Sequence, residues 1–274
     1  LGPLSVRRMA ALFIASALGQ AVFGIYQFLS QSVATSPLLG LAAHPAWQGG
    51  AAVIEAGGER WLRAYGAFSH PNVFGGFLVA GIIVTALLWP STASRRVRLS
   101  ALAIESAALF FTFSRSAWLA LLMSGVGLAI YAFTTRARPH LATLLVLAAS
   151  FAVGFGLFPS LIATRLSVAS PLEVRSVAER LGGFGDALEL ASLHPWHGVG
   201  IGNYTAALRT MVPGYPGYAY QPIHHVPLLF FIELGWFGVG LFGLALVSFA
   251  VFMSGQPSQR VVVLRLLPFL IPYL

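Results

Sequence analysis

Six long apolar stretches, separated by shorter polar segments, dominate the pattern of this chain. They occupy residues 9–29, 73–89, 99–113, 117–133, 141–158 and 226–253, and another apolar run begins after residue 260. A helix of about 20 apolar residues can cross the hydrocarbon core of a bilayer, so the pattern predicts about six or seven transmembrane helices. The expected fold class is therefore an all-α, polytopic integral membrane protein.

The longest polar interruption, residues 159–225, has a pattern of its own. Apolar side chains recur there at intervals of three or four residues, at Val177, Leu181, Phe184, Leu188 and Ala191. This spacing predicts an amphipathic helix inside a long loop. A tight glycine-rich turn at 193–204 comes next, and an aromatic, proline-rich stretch at 213–222 then excludes regular helix.

The composition agrees with the membrane class. The chain is 57% hydrophobic and 9% charged, whereas soluble domains carry about a quarter charged residues. It has no cysteine, which excludes disulfides and thiolate metal sites. Because the chain does not begin with Met and ends in an apolar run, we expect one membrane domain, 1–274, cut at both ends. Residues 159–225 would be its long extracytoplasmic loop.

The net charge of +8 is spread between the apolar stretches, which favours a role in membrane orientation and lipid-linked anions over a nucleic-acid partner. If the stretches cross the membrane in alternation, four basic segments fall on one face: Arg7 and Arg8, then Arg95, Arg96 and Arg98, then Arg136 and Arg138, and finally Arg260. The positive-inside rule predicts that this face is cytoplasmic.

Arginines on the opposite face run against this bias and need another explanation: Arg60, Arg63, Arg115, Arg165, Arg175, Arg180 and Arg209. Arg115 lies in a turn of about three residues between two predicted spans. It either snorkels to phospholipid headgroups or serves as an anchored cation for a phosphate group. Arg180 has the same two interpretations, since it can also belong to a solvated helix face.

Histidines and carboxylates add further candidates. Glu105 and Glu233 lie within apolar stretches, where a carboxylate must face the bundle interior, be paired or be protonated. His224 and His225 directly precede the sixth stretch. Each has a structural alternative, but the topology allows a polar pocket on the outer face to include Arg63, His70, Arg115, Arg180 and His224.

Two other patterns favour structural interpretations. The run from Gly198 to Gly202 lacks the spacing, the strand–helix context and the lysine of nucleotide-binding loops, so a turn is the better interpretation. His194 and His197 would need Asp186 or Glu189 as a third metal ligand, and interfacial side chains without a ligand role are the preferred interpretation.

Four ordered stretches resemble the O-antigen ligase and polymerase family of bacterial membrane glycosyltransferases. Residues 63–72 read Arg-x-x-Gly-x-Phe-x-His-Pro-Asn, and residues 114–117 read Ser-Arg-Ser-Ala. Residues 195–200 read Pro-x-x-Gly-x-Gly. Finally, His224 is followed by a polar residue, nine residues and a Gly-x-x-Gly step at Gly235 and Gly238. His225 departs from the family, where Asn, Ser or Gln is usual.

The resemblance implies a metal-independent transferase with a helical bundle of the GT-C type and no cofactor. The donor would be a glycan on undecaprenyl diphosphate. The acceptor would be a hydroxyl on a lipid A-core sugar, another glycan or a protein. The enzyme would lie in the bacterial inner membrane, a multi-pass protein in contact with the lipid bilayer, with its active site facing the periplasm. No nucleic-acid partner is implied.

The resemblance also implies roles for individual residues. His224 would be the general base on the acceptor hydroxyl, a task that suits the near-neutral pKa of histidine. Arg115, with Arg180 as a helper, would stabilise the diphosphate leaving group. Substrate-binding positions would be Arg63, His70, Asn72 and His225. Structural or orienting positions would be Glu233, Gly235 and Gly238.

Alternatives remain open at this point. Polysaccharide polymerases and protein O-oligosaccharyltransferases of the same family share these motifs. A transporter or flippase for lipid-linked glycans is an alternative of another class, although such proteins carry ionisable residues along a midplane path. A structural membrane subunit without catalysis is the third.

Overall fold

The computed structural model describes residues 3–33, 35–37, 41, 43–47, 51–89, 94–134, 139–167, 171–215, 220, 222–223 and 225–254. His224 lies outside the described residues, as do Arg136, Arg138, Arg260 and the apolar run after residue 260. Arg180 belongs to a described helix, but its side chain lies outside the description.

The described residues are mostly helical, as predicted. The helices are α1 (Pro3–Ser30), α2 (Pro71–Leu88), α3 (Arg95–Phe111), α4 (Arg115–Thr134), α5 (Pro139–Leu157), α6 (Pro159–Leu166), α7 (Pro171–Leu193), α8 (Tyr204–Met211) and α9 (Val226–Ser254). A hairpin of strands β1 (Val53–Ala56) and β2 (Glu59–Leu62) lies between α1 and α2.

The chain forms two compact units. The first contains the described residues as far as Leu166, and the second contains those from Ser167 onward. Helices α1, α2, α4, α5 and α9 each contain a segment long and apolar enough to cross a membrane. The prediction of an all-α polytopic membrane fold is thus confirmed.

Helix α3 covers the third predicted stretch but is shorter, with 17 residues, and its first turns carry Arg95, Arg96 and Arg98. It packs against α1, α2 and α5 in the first unit. Glu105 is fully buried there, and its Oε1 accepts a hydrogen bond of 3.0 Å from the Thr85 hydroxyl on α2. A carboxyl group at this depth requires such a partner inside the bundle.

The segment from 159 to 225 holds more helix than the pattern predicts. Helix α7 covers the stretch with amphipathic spacing, and Ala187, Leu190 and Ala191 are buried in the second unit. Helices α6 and α8 have eight residues each, which is too short for a periodic pattern to identify them.

The hairpin lies in the polar segment between the first two apolar stretches, where the hydrophobic pattern predicts no regular element. Gly57 and Gly58 connect the strands with φ of 63° and 82°. Two residues at positive φ form the tight turn that matches the twist of a hairpin, and glycine adopts it without steric cost. On β2, Trp61 packs against Phe28 of α1 at 6.1 Å between ring centroids.

A cluster of aromatic rings forms the core at one end of the first unit. Phe28 stacks on Phe111 with centroids 4.2 Å apart, and Phe110 stacks on Trp118 at 5.4 Å. Such pairs contribute about 0.5–1.5 kcal/mol each beyond their burial. Phe113 of the turn between α3 and α4 contacts Phe28, Phe110 and Trp118, so the cluster fixes the start of α4.

Small residues allow α2 to approach α4 closely. A Cβ added at Gly75 would lie 2.8 Å from the Ala117 Cβ and 3.2 Å from the Ser114 Cβ. Close approach through small residues is typical of helix packing in membranes, where no hydrophobic effect drives helices together.

Replacing Gly75 with alanine is expected to lower the free energy of unfolding by about 1–3 kcal/mol, the usual cost of overpacking. Gly76 is the matched control, because a Cβ added there meets no atom within 4 Å. Gly76→Ala should be neutral or slightly stabilising. Thermal unfolding of both variants in detergent measures the difference, and equal midpoints would contradict the close packing of α2 on α4.

Candidate active site

Helix α1 holds the segment before α2 with glutamine side chains. Gln20 and Gln27 lie seven residues apart, which places them on one face of α1, and Gln31 directly follows the last residue of the helix with φ of 53°. Gln27 donates from Nε2 to the Gly66 carbonyl at 2.9 Å and accepts the Tyr65 N–H at 3.1 Å. The other two glutamines bond backbone groups of the same segment. Burial raises the pKa of Tyr65, whose phenol therefore stays neutral.

Arg63 connects two of the sequence motifs. Its side chain is buried, its Nε donates to the Thr112 carbonyl at 2.7 Å, and its Nη2 donates to the Asn72 side-chain oxygen at 2.6 Å. A buried guanidinium is costly unless its N–H groups find acceptors. Arg63 therefore ties the start of α2 to the end of α3.

His70 is the N-cap residue of α2. Its Nδ1 accepts the Asn72 N–H at 3.0 Å, and Pro71 occupies the first helical position, where its missing N–H costs nothing. Because Nδ1 is the acceptor, a neutral His70 ring carries its proton on Nε2.

The turn before Arg115 is strained. Phe113 is fully buried with φ of 46°, a left-handed conformation that bulky side chains rarely adopt. Its carbonyl accepts a hydrogen bond of 2.8 Å from Arg165 Nε, and Arg115 Nη1 donates to the Arg165 carbonyl at 3.5 Å. The two arginines thus brace this turn between α3 and α4.

Positive charge therefore collects at this end of the first unit. The guanidiniums of Arg115 and Arg165 lie here together with the N-terminus of α4, where Ser114 Oγ accepts the Ala117 N–H at 3.4 Å. A helix N-terminus carries a partial positive charge, and arginine is suited to bidentate phosphate contacts. The arrangement can stabilise a phosphate group.

The second unit is organised by a break in α9. At Gly235 the backbone has φ of 61° and ψ of −171°, which interrupts the helix. The carbonyls of Ile232 and Glu233, freed by the break, accept hydrogen bonds of 2.9 Å from the N–H groups of Val199 and Gly200. Beyond the break, two N–H groups of α9 donate to carbonyls of the same loop.

Those two donors are Trp236, which bonds the Pro195 carbonyl at 2.9 Å, and Phe237, which bonds the Trp196 carbonyl at 3.0 Å. The loop and the helix approach so closely that only glycine fits at the contact. A Cβ added at Gly235 would clash with the Trp196 backbone. A Cβ added at Gly198, in the loop, would clash with the Glu233 backbone.

Other candidate residues of the second unit also contact backbone groups. The Glu233 Oε1 accepts the Tyr204 N–H at 3.4 Å, so its carboxylate lies at the N-terminus of α8. His225 precedes α9 and its Nδ1 accepts the Leu228 N–H at 3.1 Å. Gly238 lies in α9 just after the break.

Sequence reasoning missed two features. Arg165 carried only the signal that it opposes the charge bias on its face. Gln20 and Gln27 of α1 carried a clearer one, since polar residues spaced seven apart in an apolar helix share a face. Both act on backbone groups distant in sequence, which spacing alone does not identify.

Within the described ranges no three His, Cys, Asp or Glu residues are grouped closely enough to hold a metal ion. The rings of His194 and His197 are 5.9 Å apart, and His197 Nδ1 lies 2.8 Å from the Gly198 carbonyl.

Fold and site together describe a polytopic membrane protein with an arginine-rich end. Comparison with known families matches residues 99–243, more than half of the chain, to the family described as O-antigen ligase, and the chain belongs to this family. Its members are membrane enzymes of the ligase and polymerase type that act on lipid-linked glycans. No curated protein and no solved structure matches the chain.

We expect Arg63→Lys to reduce the free energy of unfolding by about 1–3 kcal/mol, because lysine cannot reach both acceptors and leaves one buried group unsatisfied. Arg60→Lys is the control, since Arg60 forms a surface ion pair with Glu55 at 3.4 Å, and such pairs contribute about 0–1 kcal/mol. Thermal unfolding in detergent compares them. Equal losses would show that the Arg63 bonds do not matter to stability.

Gly235→Ala should destabilise the second unit by roughly 2 kcal/mol or more, since alanine resists this backbone conformation and meets the loop backbone. Hydrogen exchange should show lost protection at the Val199 and Gly200 amides. Gly240→Ala serves as control, because a Cβ there has no neighbour within 4 Å. Unchanged protection of these two amides in Gly235→Ala would contradict the packing of the loop of residues 195–200 on α9.

Proposed function

We propose that this protein is a glycosyltransferase that moves a glycan from an undecaprenyl-diphosphate-linked donor to an acceptor hydroxyl. The observation that carries the proposal is the braced pair of Arg115 and Arg165 at the start of α4, in a chain of the O-antigen ligase family. A diphosphate leaving group needs positive charge, and fixed arginines supply it without reorganisation.

In this mechanism His224 acts as the general base. It removes the proton from the acceptor hydroxyl as the oxygen attacks the anomeric carbon of the donor glycan. The bond between that carbon and the diphosphate oxygen breaks, and the diphosphate leaves with the electron pair. Arg115, helped by Arg180, stabilises the developing negative charge, so no divalent metal and no cofactor is required.

Supporting roles follow for the other candidates. Arg63, His70 and Asn72 shape the substrate pocket by holding the start of α2 against the end of α3. His225 contributes to substrate binding, as the family resemblance implies. Glu233, Gly235 and Gly238 position the helix that follows His224.

The orientation of the enzyme follows from the arginine distribution. Arg95, Arg96 and Arg98 lie at the start of α3. Arg63 donates a hydrogen bond to the backbone at the far end of the same helix, about 25 Å away at 1.5 Å per residue. The positive-inside rule places the start of α3 in the cytoplasm. The pair of Arg115 and Arg165 then faces the periplasm from the bacterial inner membrane.

Three acceptor classes fit this chemistry: a lipid A-core sugar, another glycan as in a polymerase, and a protein hydroxyl. We take the ligase type as the first candidate, because the matched family is described as O-antigen ligase, and the motifs themselves are shared by all three classes. Analysis of the glycosylated product in the source bacterium identifies the acceptor.

His224→Ala and Arg115→Ala should each abolish glycan transfer, by about 100-fold or more, when expressed in a strain that lacks its own copy of the gene. Lipid-linked glycan should accumulate, which gel analysis of surface glycan and of extracted lipids measures. Arg96→Ala, at the opposite end of the bundle, is the matched control and should keep full activity.

Membrane fractionation must show normal insertion of each variant. Full transfer by either His224→Ala or Arg115→Ala would overturn the proposal. If the protein were a transporter, the variants would lose transport of the lipid-linked glycan and not its transfer. Transfer would then remain intact in detergent-solubilised membranes of each variant supplied with lipid-linked donor, and the loss would appear only in sealed vesicles.

A further inference from the structure

Helix α9 has two parts that differ in their surroundings. Before the break at Gly235, the side chains of Leu228, Leu229, Phe231 and Ile232 pack against α7 and α8 in the second unit. After the break, the large apolar side chains are exposed: Trp236, Phe237, Leu241, Phe242, Leu244, Leu246, Val247 and Val251. Apolar surface on this scale is normally covered by another apolar phase.

The exposed part of α9 has the length of a membrane span. The residues from Trp236 to Ser254 extend for about 28 Å at 1.5 Å per residue, and the hydrocarbon core of a bilayer is about 30 Å thick. The sequence carries no charged residue between Glu233 and Arg260. This part of α9 therefore fits the hydrocarbon core when the break at Gly235 lies at its edge.

Exposed apolar side chains also surround the break. In and next to the loop of residues 195–200, Trp196 is 61% exposed and Ile201 is 78% exposed. The Trp196 ring lies beside the ring of Phe237 on α9, with centroids 5.8 Å apart. Trp236, the first residue after the break, is 57% exposed. We call these four side chains the apolar patch.

The backbone under the patch is suited to a medium that offers few hydrogen bonds. The N–H groups of Val199 and Gly200 and the carbonyls of Pro195 and Trp196 all bond backbone groups of α9. An irregular segment at membrane depth is stable only where the protein itself satisfies its backbone groups. The loop therefore directs its polar groups toward α9 and leaves apolar side chains on its outside.

We propose that the apolar patch inserts into the interface of the bilayer and that Gly235 marks the edge of the hydrocarbon core. Tryptophan is enriched at this depth, because its ring is apolar while its N–H can still reach a polar partner. The patch would hold the second unit at a fixed height on the membrane surface. This inference goes beyond the proposed function and does not depend on which reaction the protein catalyses.

The inference also changes the position of Glu233. The apolar segment of α9 begins at Val226, which by itself would place this carboxylate inside the membrane. With the edge of the core at Gly235, the packed part of α9 lies outside the hydrocarbon. Glu233 then bonds the Tyr204 N–H in the second unit and needs no partner within the bilayer.

A lipid surface explains the patch better than a second protein does. The patch continues directly into the exposed side chains of α9, from Phe237 to Val251, and that part of the helix has the length and composition of a membrane span. Any cover for the patch must therefore extend into the bilayer. Lipid already provides this cover along the rest of the helix.

The chain has no cysteine, so one introduced cysteine can carry a nitroxide label at a chosen position. The labelled variants are Ile201→Cys and Phe237→Cys, in purified protein reconstituted into liposomes of phosphatidylethanolamine and phosphatidylglycerol. Two exposed positions serve as matched controls. Thr210→Cys on α8 reports the water phase, and Leu244→Cys, about 12 Å beyond Trp236 at 1.5 Å per residue, reports the core.

Electron paramagnetic resonance measures how often each label collides with oxygen, which concentrates in the membrane, and with a water-soluble nickel complex. The ratio of the two gives the depth of the label. Both patch labels should lie about 5–10 Å into the boundary between headgroups and acyl chains, the depth of interfacial segments. The Thr210 label should collide freely with nickel, and the Leu244 label should be the deepest.

Three results would contradict the proposal. Nickel collisions at Ile201 and Phe237 as frequent as at Thr210 would place the patch in water. A depth equal to that of the Leu244 label would place the break inside the core. Immobile labels that neither reagent reaches would show that protein covers the patch. If Ile201→Cys does not fold, Phe237→Cys gives the same comparison.

Discussion

Hydrogen bonds from the Arg63 side chain to Thr112 and Asn72 are the interaction on which the candidate site of the first unit depends. They join the end of α3 to the start of α2, at 2.7 Å and 2.6 Å, in a buried environment. A buried cation is stable only when its donors are used, so this connection tolerates little variation. Because α4 begins three residues after Thr112, the position of Arg115 depends on the same bonds.

Backbone groups take the corresponding role in the second unit. The break at Gly235 frees carbonyls and N–H groups of α9, and the loop of residues 195–200 bonds four of them. Irregular backbone within an apolar segment is stable only where protein groups replace the lost helical bonds. The glycine motif of the loop is therefore explained by close backbone contact, as Gly198 requires, and no nucleotide is needed.

The proposed function depends on the turn between α3 and α4. Arg115 and Arg165 brace this strained turn at Phe113. The catalytic roles of His224 and Arg180 remain predictions from the sequence motifs.

The hydrophobic pattern by itself determined the all-α membrane class, because a bilayer imposes its length and polarity on each helix separately. The motifs also indicated Arg63, Asn72, Arg115 and Gly235. Only the tertiary structure decided what these residues contact: the Thr112 carbonyl lies 49 positions from Arg63, and Arg165 lies 52 from Phe113. The hairpin and the glutamine contacts with the segment before α2 were likewise absent from the prediction. Such contacts depend on how helices pack against one another, and the periodicity of a single segment carries no information about its neighbours.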